Sequence, residues 1–186
     1  KKEITQLPNY GIVTNGTIRS QEIIDLINEF RINLTISLDG PEIVNDYQRG
    51  KGTYKKVHEF VSQLKEETTC NFGFECTFTR RHLEEGIDIR ALMDFFYGEF
   101  GTPELHIPLV SAPPSSEFYV DLETACKCYE DAIRYSIQNL KEGIPKTISF
   151  ATRLLSPLAK KVPIPFYCPA GFSTVSVQYR RNVYPC

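Results

Sequence analysis

No apolar run in this 186-residue chain approaches the roughly 20 residues needed to span a bilayer, and its start lacks the pattern of a signal peptide. Neither sign of charge dominates. Twenty-one lysines and arginines against 23 acids leave a formal net charge of -2, which argues against nucleic acid as the main partner, since phosphate binding favours a basic surface. Cysteine is sparse: six residues, at 70, 76, 126, 128, 168 and 186, are too few for a disulfide framework in a chain able to build its own core. The histidines His58, His82 and His106 are scattered, with no two at metal-ligand spacing. No internal repeat is obvious, and no segment is low in complexity. What remains is the composition of an ordinary globular protein, 41% hydrophobic and 24% charged. It reads as cytoplasmic, with free or metal-bound thiols, and as partnered by neither membrane nor nucleic acid. The length suits one domain with a small appendage, and a start at Lys1-Lys2 without methionine suggests a piece of a longer protein.

Strand and helix patterns alternate up to Ser111. YGIVTNGT, NLTISLDG, NFGFECTFT and ELHIPLV read as strands, while SQEIIDLINEFR, GTYKKVHEFVSQLK and IDIRALMDFFYGEF read as helices. Ser20 and Thr53 are placed to cap the first two helices. Ile23, Ile27 and Phe30 form the apolar stripe of the first, and Val57, Phe60, Val61 and Leu64 that of the second. Such alternation predicts right-handed βαβ units and a parallel sheet. A parallel strand covered by helices on both faces would be apolar throughout. Here Leu34, Ile36 and Leu38 alternate with Thr35, Ser37 and Asp39, and Phe72, Phe74, Cys76 and Phe78 alternate with Gly73, Glu75, Thr77 and Thr79. Two arrangements satisfy that pattern: a sheet with one solvated face, or a barrel-like sheet whose polar face lines a ligand cavity. The second is the expectation, with Glu75 as a candidate substrate contact.

Beyond Ser111, APPSSEF has the composition of a linker. DLETACKCYEDAIRYSIQNLKEG reads as a long helix capped by Asp121 and stopped at Gly143. Its stripe is Leu122, Cys126, Tyr129, Ile133, Ile137 and Leu140, which places Cys126 in the core and Cys128 off it. KTISFATRLLSPLAKK reads as a second helix, interrupted or ended near Pro157. A hairpin follows, with Val175, Val177 and Tyr179 alternating before a turn at YRRN, and Cys168 and Cys186 bracket it. For two such cysteines the residues alone leave a disulfide, buried thiols, half of a tetrahedral zinc site or a cluster site open.

TNGT on one strand, ISLDGP on the next, Asp46-x-x-Arg49 and GTYKKV resemble the middle of a radical S-adenosylmethionine enzyme. Cys-x-Ala-Gly at 168–171 with YPC at 184–186 resembles the opening of the SPASM domain, which holds auxiliary iron–sulfur clusters. FECTFTRRHLEEGI is similar to the matching segment of maturases of cysteine-rich peptides, including thioether-forming ones. The resemblance implies an α/β fold: a partial (β/α) barrel of the radical S-adenosylmethionine type, of about four parallel strands plus helices, over 1–111. A linker and connector helices over 112–165 then lead to the opening β-hairpin of a SPASM domain over 166–186. It implies a parent oxidoreductase with S-adenosylmethionine and [4Fe-4S] clusters as cofactors and a peptide, in some cases cysteine-containing, as substrate. That enzyme takes electrons from a separate reductant, cleaves S-adenosylmethionine reductively and abstracts hydrogen from the peptide. The Cys-x-x-x-Cys-x-x-Cys motif and the Gly-Gly-Glu-Pro segment of such enzymes are absent from these 186 residues, so they are expected to be inactive alone. Arg181 stands where the SPASM opening usually has glycine, beside an Asn182 suited to the left-handed turn, and Asn45-Asp46 replaces a common His-Asp pair. The alternative is a non-radical interaction or zinc-binding domain that keeps the scaffold.

The resemblance also implies site residues. Ser37 and Arg49 fall at the amino-acid end of S-adenosylmethionine, where a hydroxyl and a cation able to bind a carboxylate bidentately suit the chemistry. Asn15 falls at the ribose or carboxylate, Leu109 bounds the adenine through its backbone, and Cys168 and Cys186 are cluster thiolates, soft donors suited to iron. Asn15-Gly16 and Asp39-Gly40 fit plain turn chemistry equally well. Lys55-Lys56 and Arg80-Arg81 read as solvated charge, and no catalytic residue is assigned.

Overall fold

The computed structural model describes residues 10–101, 104–163, 176–177 and 182–184. The chain divides into two compact units, one ending at Thr152 and one starting at Arg153. In the first, strands β1 (Gly11–Thr14), β2 (Asn33–Ser37), β3 (Phe72–Glu75) and β4 (Leu105–His106) form one sheet in chain order. Every pairing in it is parallel. The connections carry α1 (Gln21–Phe30), α2 (Glu42–Arg49), α3 (Thr53–Glu67), α4 (Arg80–Glu84) and α5 (Ile89–Phe100), and α6 (Leu122–Lys141) and α7 (Ser149–Lys160) follow. Strands in chain order with a crossover between each pair wind in one direction, as the wall of a (β/α) barrel does.

The two faces of the sheet differ as the alternation predicts. Leu34, Ile36, Leu38, Phe74, Cys76 and Phe78 are buried with Val57, Phe60, Val61 and Leu64 of α3 and Leu92, Met93, Phe96 and Phe100 of α5. The Phe74 ring lies 5.0 Å from that of Phe96 and 4.6 Å from that of Phe100. Each large side chain so buried stabilises the fold by about 1.5–3 kcal/mol. Thr35, Ser37, Glu75 and Thr77, on the other face, are only half-buried.

Several local expectations need correction. Ser20 caps α1 as expected, accepting the Ile23 N–H, but the buried residues are Ile24 and Ile27. Phe30 is 46% exposed, and its ring meets Tyr10 edge-on. The cap of α3 is Gly52, at φ 80°, and not Thr53; a left-handed cap residue aims no side chain at the free N–H groups, so a neighbouring helix supplies the acceptor (below). β4 is shorter than ELHIPLV, and only a single further bridge, Phe78 to Leu109, prolongs the pairing. On α6, Asp121 accepts the Thr124 N–H as expected, and Tyr129 and Ile133 of the expected stripe pack against the core, but the fully buried residues are Ala125, Ala132, Ser136 and Asn139, with Leu122 and Leu140 exposed. Cys126 is therefore exposed and Cys128 packs against the core, the reverse of the expectation. Small residues at helical spacing let the helix axis approach the layer beneath, and that closeness outweighs the larger apolar groups of the adjacent stripe. Finally, α7 continues through Pro157. It ends at Lys160, and the φ of 52° at Lys161 and the Val162 N–H bond to the Pro157 carbonyl make a Schellman-type close.

In the second unit, β5 (Ser176–Val177) and β6 (Val183–Tyr184) pair antiparallel as the expected hairpin. Cys168, Cys186, Val175, Tyr179 and Arg181 lie outside the described residues. No described helix is long and apolar enough to cross a membrane.

Candidate ligand-binding cleft

The site is built where β2 gives way to α2. Gly40 turns the chain there at φ 85°, and a Cβ on it would stand 2.6 Å from Leu92 Cδ2, so only glycine fits. The residue before it, Asp39, is buried and fully engaged. Its Oδ2 accepts the Arg49 Nε–H at 2.7 Å, and its Oδ1 accepts an Arg49 Nη2–H at 2.9 Å and the Thr77 N–H at 2.9 Å. Its own N–H donates to Asn45 Oδ1 at 3.1 Å. Arg49, the last residue of α2, is thereby held side-on, and Nη1 lies outside the pair.

α2 also braces the start of α3. Asp46 accepts the Tyr54 N–H at 2.8 Å and the Gly52 N–H, so a carboxylate one helix away does what a side-chain cap would do. Burial pushes the Asp46 carboxyl up, but hydrogen bonds from the Tyr54 and Gly52 N–H groups, Asn45 and Thr53 outweigh it and hold the group below its ordinary value. Asn45 Nδ2 donates to Thr53 Oγ1 at 2.9 Å and to Asp46 Oδ1 at 3.2 Å. The amide at the position of the common His-Asp pair is therefore a buried bracket.

Beneath Asp39 sits His82. Its Nδ1 accepts the Thr79 N–H at 3.1 Å, which leaves Nε2 to donate to the Asp39 carbonyl at 3.1 Å. Burial holds its pKa below the ordinary imidazole range. Cys76 Sγ lies 3.8 Å from Nε2, and burial first, then the charge of Asp39, raises its thiol well above normal.

A cleft of about 350 Å³ opens beside this frame, lined by Asn15, Thr17, Arg49, Thr53, Lys56 and Val57. Asn15 Oδ1 accepts the Thr17 N–H at 3.2 Å and the Thr17 hydroxyl at 3.0 Å, so the turn chemistry of Asn15 and its place in the cleft coexist. The fork of Arg49, the Lys56 ammonium, two hydroxyls and an amide suit a small ligand that carries a carboxylate.

Of the residues named from sequence, Asn15 and Arg49 come together in the cleft. Ser37 is half-buried at the end of β2, two residues before Asp39. Leu109 lies in its bridge to Phe78, in which the neighbouring Pro108 carbonyl and Val110 N–H make the bonds, so its own N–H and C=O point away from Phe78. Sequence reasoning left Asp39 undecided, and it missed the bracketing by Asn45 and Asp46, the placement of Lys56 and the support from His82. Thr79 and His82 form a capping box in the structure, but histidine stands where that sequence pattern has Glu or Gln, so the residues carried little signal for the last. Among the described residues no group of three His, Cys, Asp or Glu side chains is placed to hold a metal ion.

No family model matches the chain. An uncharacterized protein of Methanothermobacter thermautotrophicus is 26% identical over 137 residues, which cover 73% of this chain and 49% of the relative. One from Archaeoglobus fulgidus is 28% identical over 185 residues, 95% of this chain and 43% of the relative. The chain thus spans about half the length of the curated relatives it matches. Among solved structures, native anSMEcpe with bound AdoMet and Kp18Cys peptide superposes with a TM-score of 0.75 at 15% identity, over 96% of this chain and 51% of that one. Streptococcus suis SuiB, also solved bound to S-adenosylmethionine, gives a TM-score of 0.63 at 14% identity, over 95% of this chain and 43% of that one. The fold is therefore the α/β one expected, a partial (β/α) barrel like that of these solved structures.

Proposed function

We propose that the chain is the central portion of a radical S-adenosylmethionine enzyme that modifies a peptide, and that its cleft receives the amino-acid end of S-adenosylmethionine. One observation carries the reading: Arg49, fixed by Asp39, shares with Asn15 a cleft of fitting chemistry on a fold whose solved neighbours include AdoMet-bound proteins. The residues present fit that ligand. Arg49 Nη1 and Lys56 meet the carboxylate, Asn15 and Thr17 offer hydrogen bonds to the ribose or the carboxylate, and Ser37 adds a hydroxyl from the strand end. Leu109 bounds the adenine with its backbone. The half-buried face of Thr35, Glu75 and Thr77 is where the peptide lies.

The chemistry drawn from bound S-adenosylmethionine is reductive cleavage followed by hydrogen abstraction from the peptide, with thioether crosslinking as the particular outcome. The [4Fe-4S] clusters and the reductant belong to the whole protein, in which residues 166–186 open a SPASM domain and Cys168 and Cys186 are cluster thiolates. Residues 112–165 connect it to the barrel, and the enzyme works in the cytoplasm.

Calorimetric titration with S-adenosylmethionine tests the assignment. Ser37→Ala and Arg49→Ala are each expected to cost about 1.5–3 kcal/mol, a tenfold or greater loss of affinity, whereas His58→Ala is expected to change little. His58 pairs with Glu99 at 2.9 Å and lies outside the cleft lining. Equal affinities for all three variants overturn the reading. A cysteine-containing peptide that keeps its mass after incubation with the full-length protein, reductant and S-adenosylmethionine overturns the peptide-modifying part.

A further inference from the structure

We infer that Asp39 is a charge-balancing, positioning residue that fits the cleft to a cationic sulfonium ligand in preference to the corresponding neutral thioether. The inference rests on the reading of the cleft as an S-adenosylmethionine site. That ligand presents a conflict: its carboxylate calls for cationic donors, yet with sulfonium, ammonium and carboxylate together it carries a net positive charge. A bare arginine would hold the carboxylate and repel the rest, because a guanidinium never gives up its proton.

The geometry removes the conflict. Asp39 is 2% exposed, so its charge acts through protein rather than through water. It takes Nε and Nη2 of Arg49, at 2.7 and 2.9 Å, and leaves Nη1 outside the pair. The Thr77 N–H, past the end of β3, donates to the same carboxylate, and Asn45 Oδ1 accepts the Asp39 backbone N–H. The cleft therefore gains a directed donor with no net charge behind it. The other cation of the lining is Lys56, whose side chain is exposed to solvent. With Asp39 behind Arg49 the charge of the lining is that of Lys56, and without Asp39 it would rise by one unit.

Titration of S-adenosylmethionine and S-adenosylhomocysteine into the wild-type chain and into Asp39→Asn at low ionic strength reads this directly. One unit of charge acting over about 8 Å at an effective dielectric constant of about 40 changes the affinity ratio roughly fivefold. The expected result is a fall of that size in the preference for the sulfonium ligand in Asp39→Asn, lessened by added salt. Lys56→Gln is expected to raise that preference. If Asp39→Asn weakens both ligands by the same factor, the residue only holds Arg49 in place and the proposal is overturned. Should Asp39→Asn fail to fold, the exposed Lys56→Gln reads the same field, and an unchanged ratio there overturns the proposal. So does a tenfold preference of the wild type for the thioether. A wild-type chain that binds neither ligand overturns the functional reading, and the proposal with it.

Discussion

Asp39–Arg49 and Asp94–Lys146 are both close ion pairs between a carboxylate and a cation, and they are built in opposite ways. The side chain of Asp39 is 3% exposed and that of Arg49 28%, whereas Asp94 is 53% exposed and Lys146 18%. In the first pair the carboxylate is the sunken partner, and three hydrogen bonds saturate it. In the second the cation is the covered partner. Lys146 Nζ donates to Asp94 at 2.6 Å and to the Tyr135 hydroxyl at 3.4 Å, and lies 5.0 Å from the Tyr97 ring centroid. Burial pushes Asp94 up, but Lys146 and Tyr135 outweigh it and hold its carboxyl below the ordinary range. A planar fork can serve a buried partner and keep an edge for something else, while an ammonium surrounded by oxygens and rings is used up. The first design makes a site, the second a fastening.

The contrast sets a scale for what disruption should cost. Asp39→Ala leaves Arg49 and the Thr77 N–H without their partner, and breaking a buried pair from one side costs about 3–5 kcal/mol. Urea denaturation is the measurement, and a loss below about 1 kcal/mol would put Asp39 in the same class as Asp94. Asn45→Ala removes the bracket to the Asp39 N–H, Thr53 and Asp46, with an expected loss of about 1–3 kcal/mol by the same method.

A pH titration of stability comes next in size. The native His82 is held below the ordinary pKa of about 6.5, so the unfolded chain binds a proton there that the native one refuses. Stability from this group is complete above about pH 6.5 and falls as the pH drops below it, by at most about 1.4 kcal/mol per pH unit, until the native ring also protonates. His82→Gln should flatten that slope. Asp46, Asp94 and Asp121, all held low, begin to add their own losses only below about pH 4, so the two ranges separate. The smallest effect is expected at the fastening: Lys146→Met should cost about 1 kcal/mol or less, and less again in high salt. A larger cost would show that the two pairs differ in placement and not in strength.

The difference between the two pairs also marks what could be read from residues alone. The parallel sheet and its two faces were legible, because Leu34, Ile36 and Leu38 against Thr35, Ser37 and Asp39 is a pattern that few arrangements satisfy. Arg49 was singled out through its motif, and it lines the cleft. Its pairing with Asp39 was not, since ten residues and a helix separate them. That helix, EIVNDYQR, buries only Val44 and Asn45 and so shows no apolar stripe. The face of α6 was read only in part, through Tyr129 and Ile133, because Ala125, Ala132, Ser136 and Asn139 act through closeness of approach, to which hydropathy is blind. Lys56 looked like solvated charge, and it is exposed; only the fold around it shows that it stands at a cleft.

The turn at Gly40 has a consequence on an evolutionary scale. At φ 85°, with Leu92 Cδ2 2.6 Å from where a side chain would begin, the position is barred to other residues twice over. A smaller residue at 92 would lift the steric bar and leave the backbone one in place. A lineage can therefore exchange the groups around the cleft one at a time and try new ligands there, but it has no single-step route away from this glycine. Among proteins descended from a common ancestor with this chain, position 40 should outlast every residue that lines the cleft.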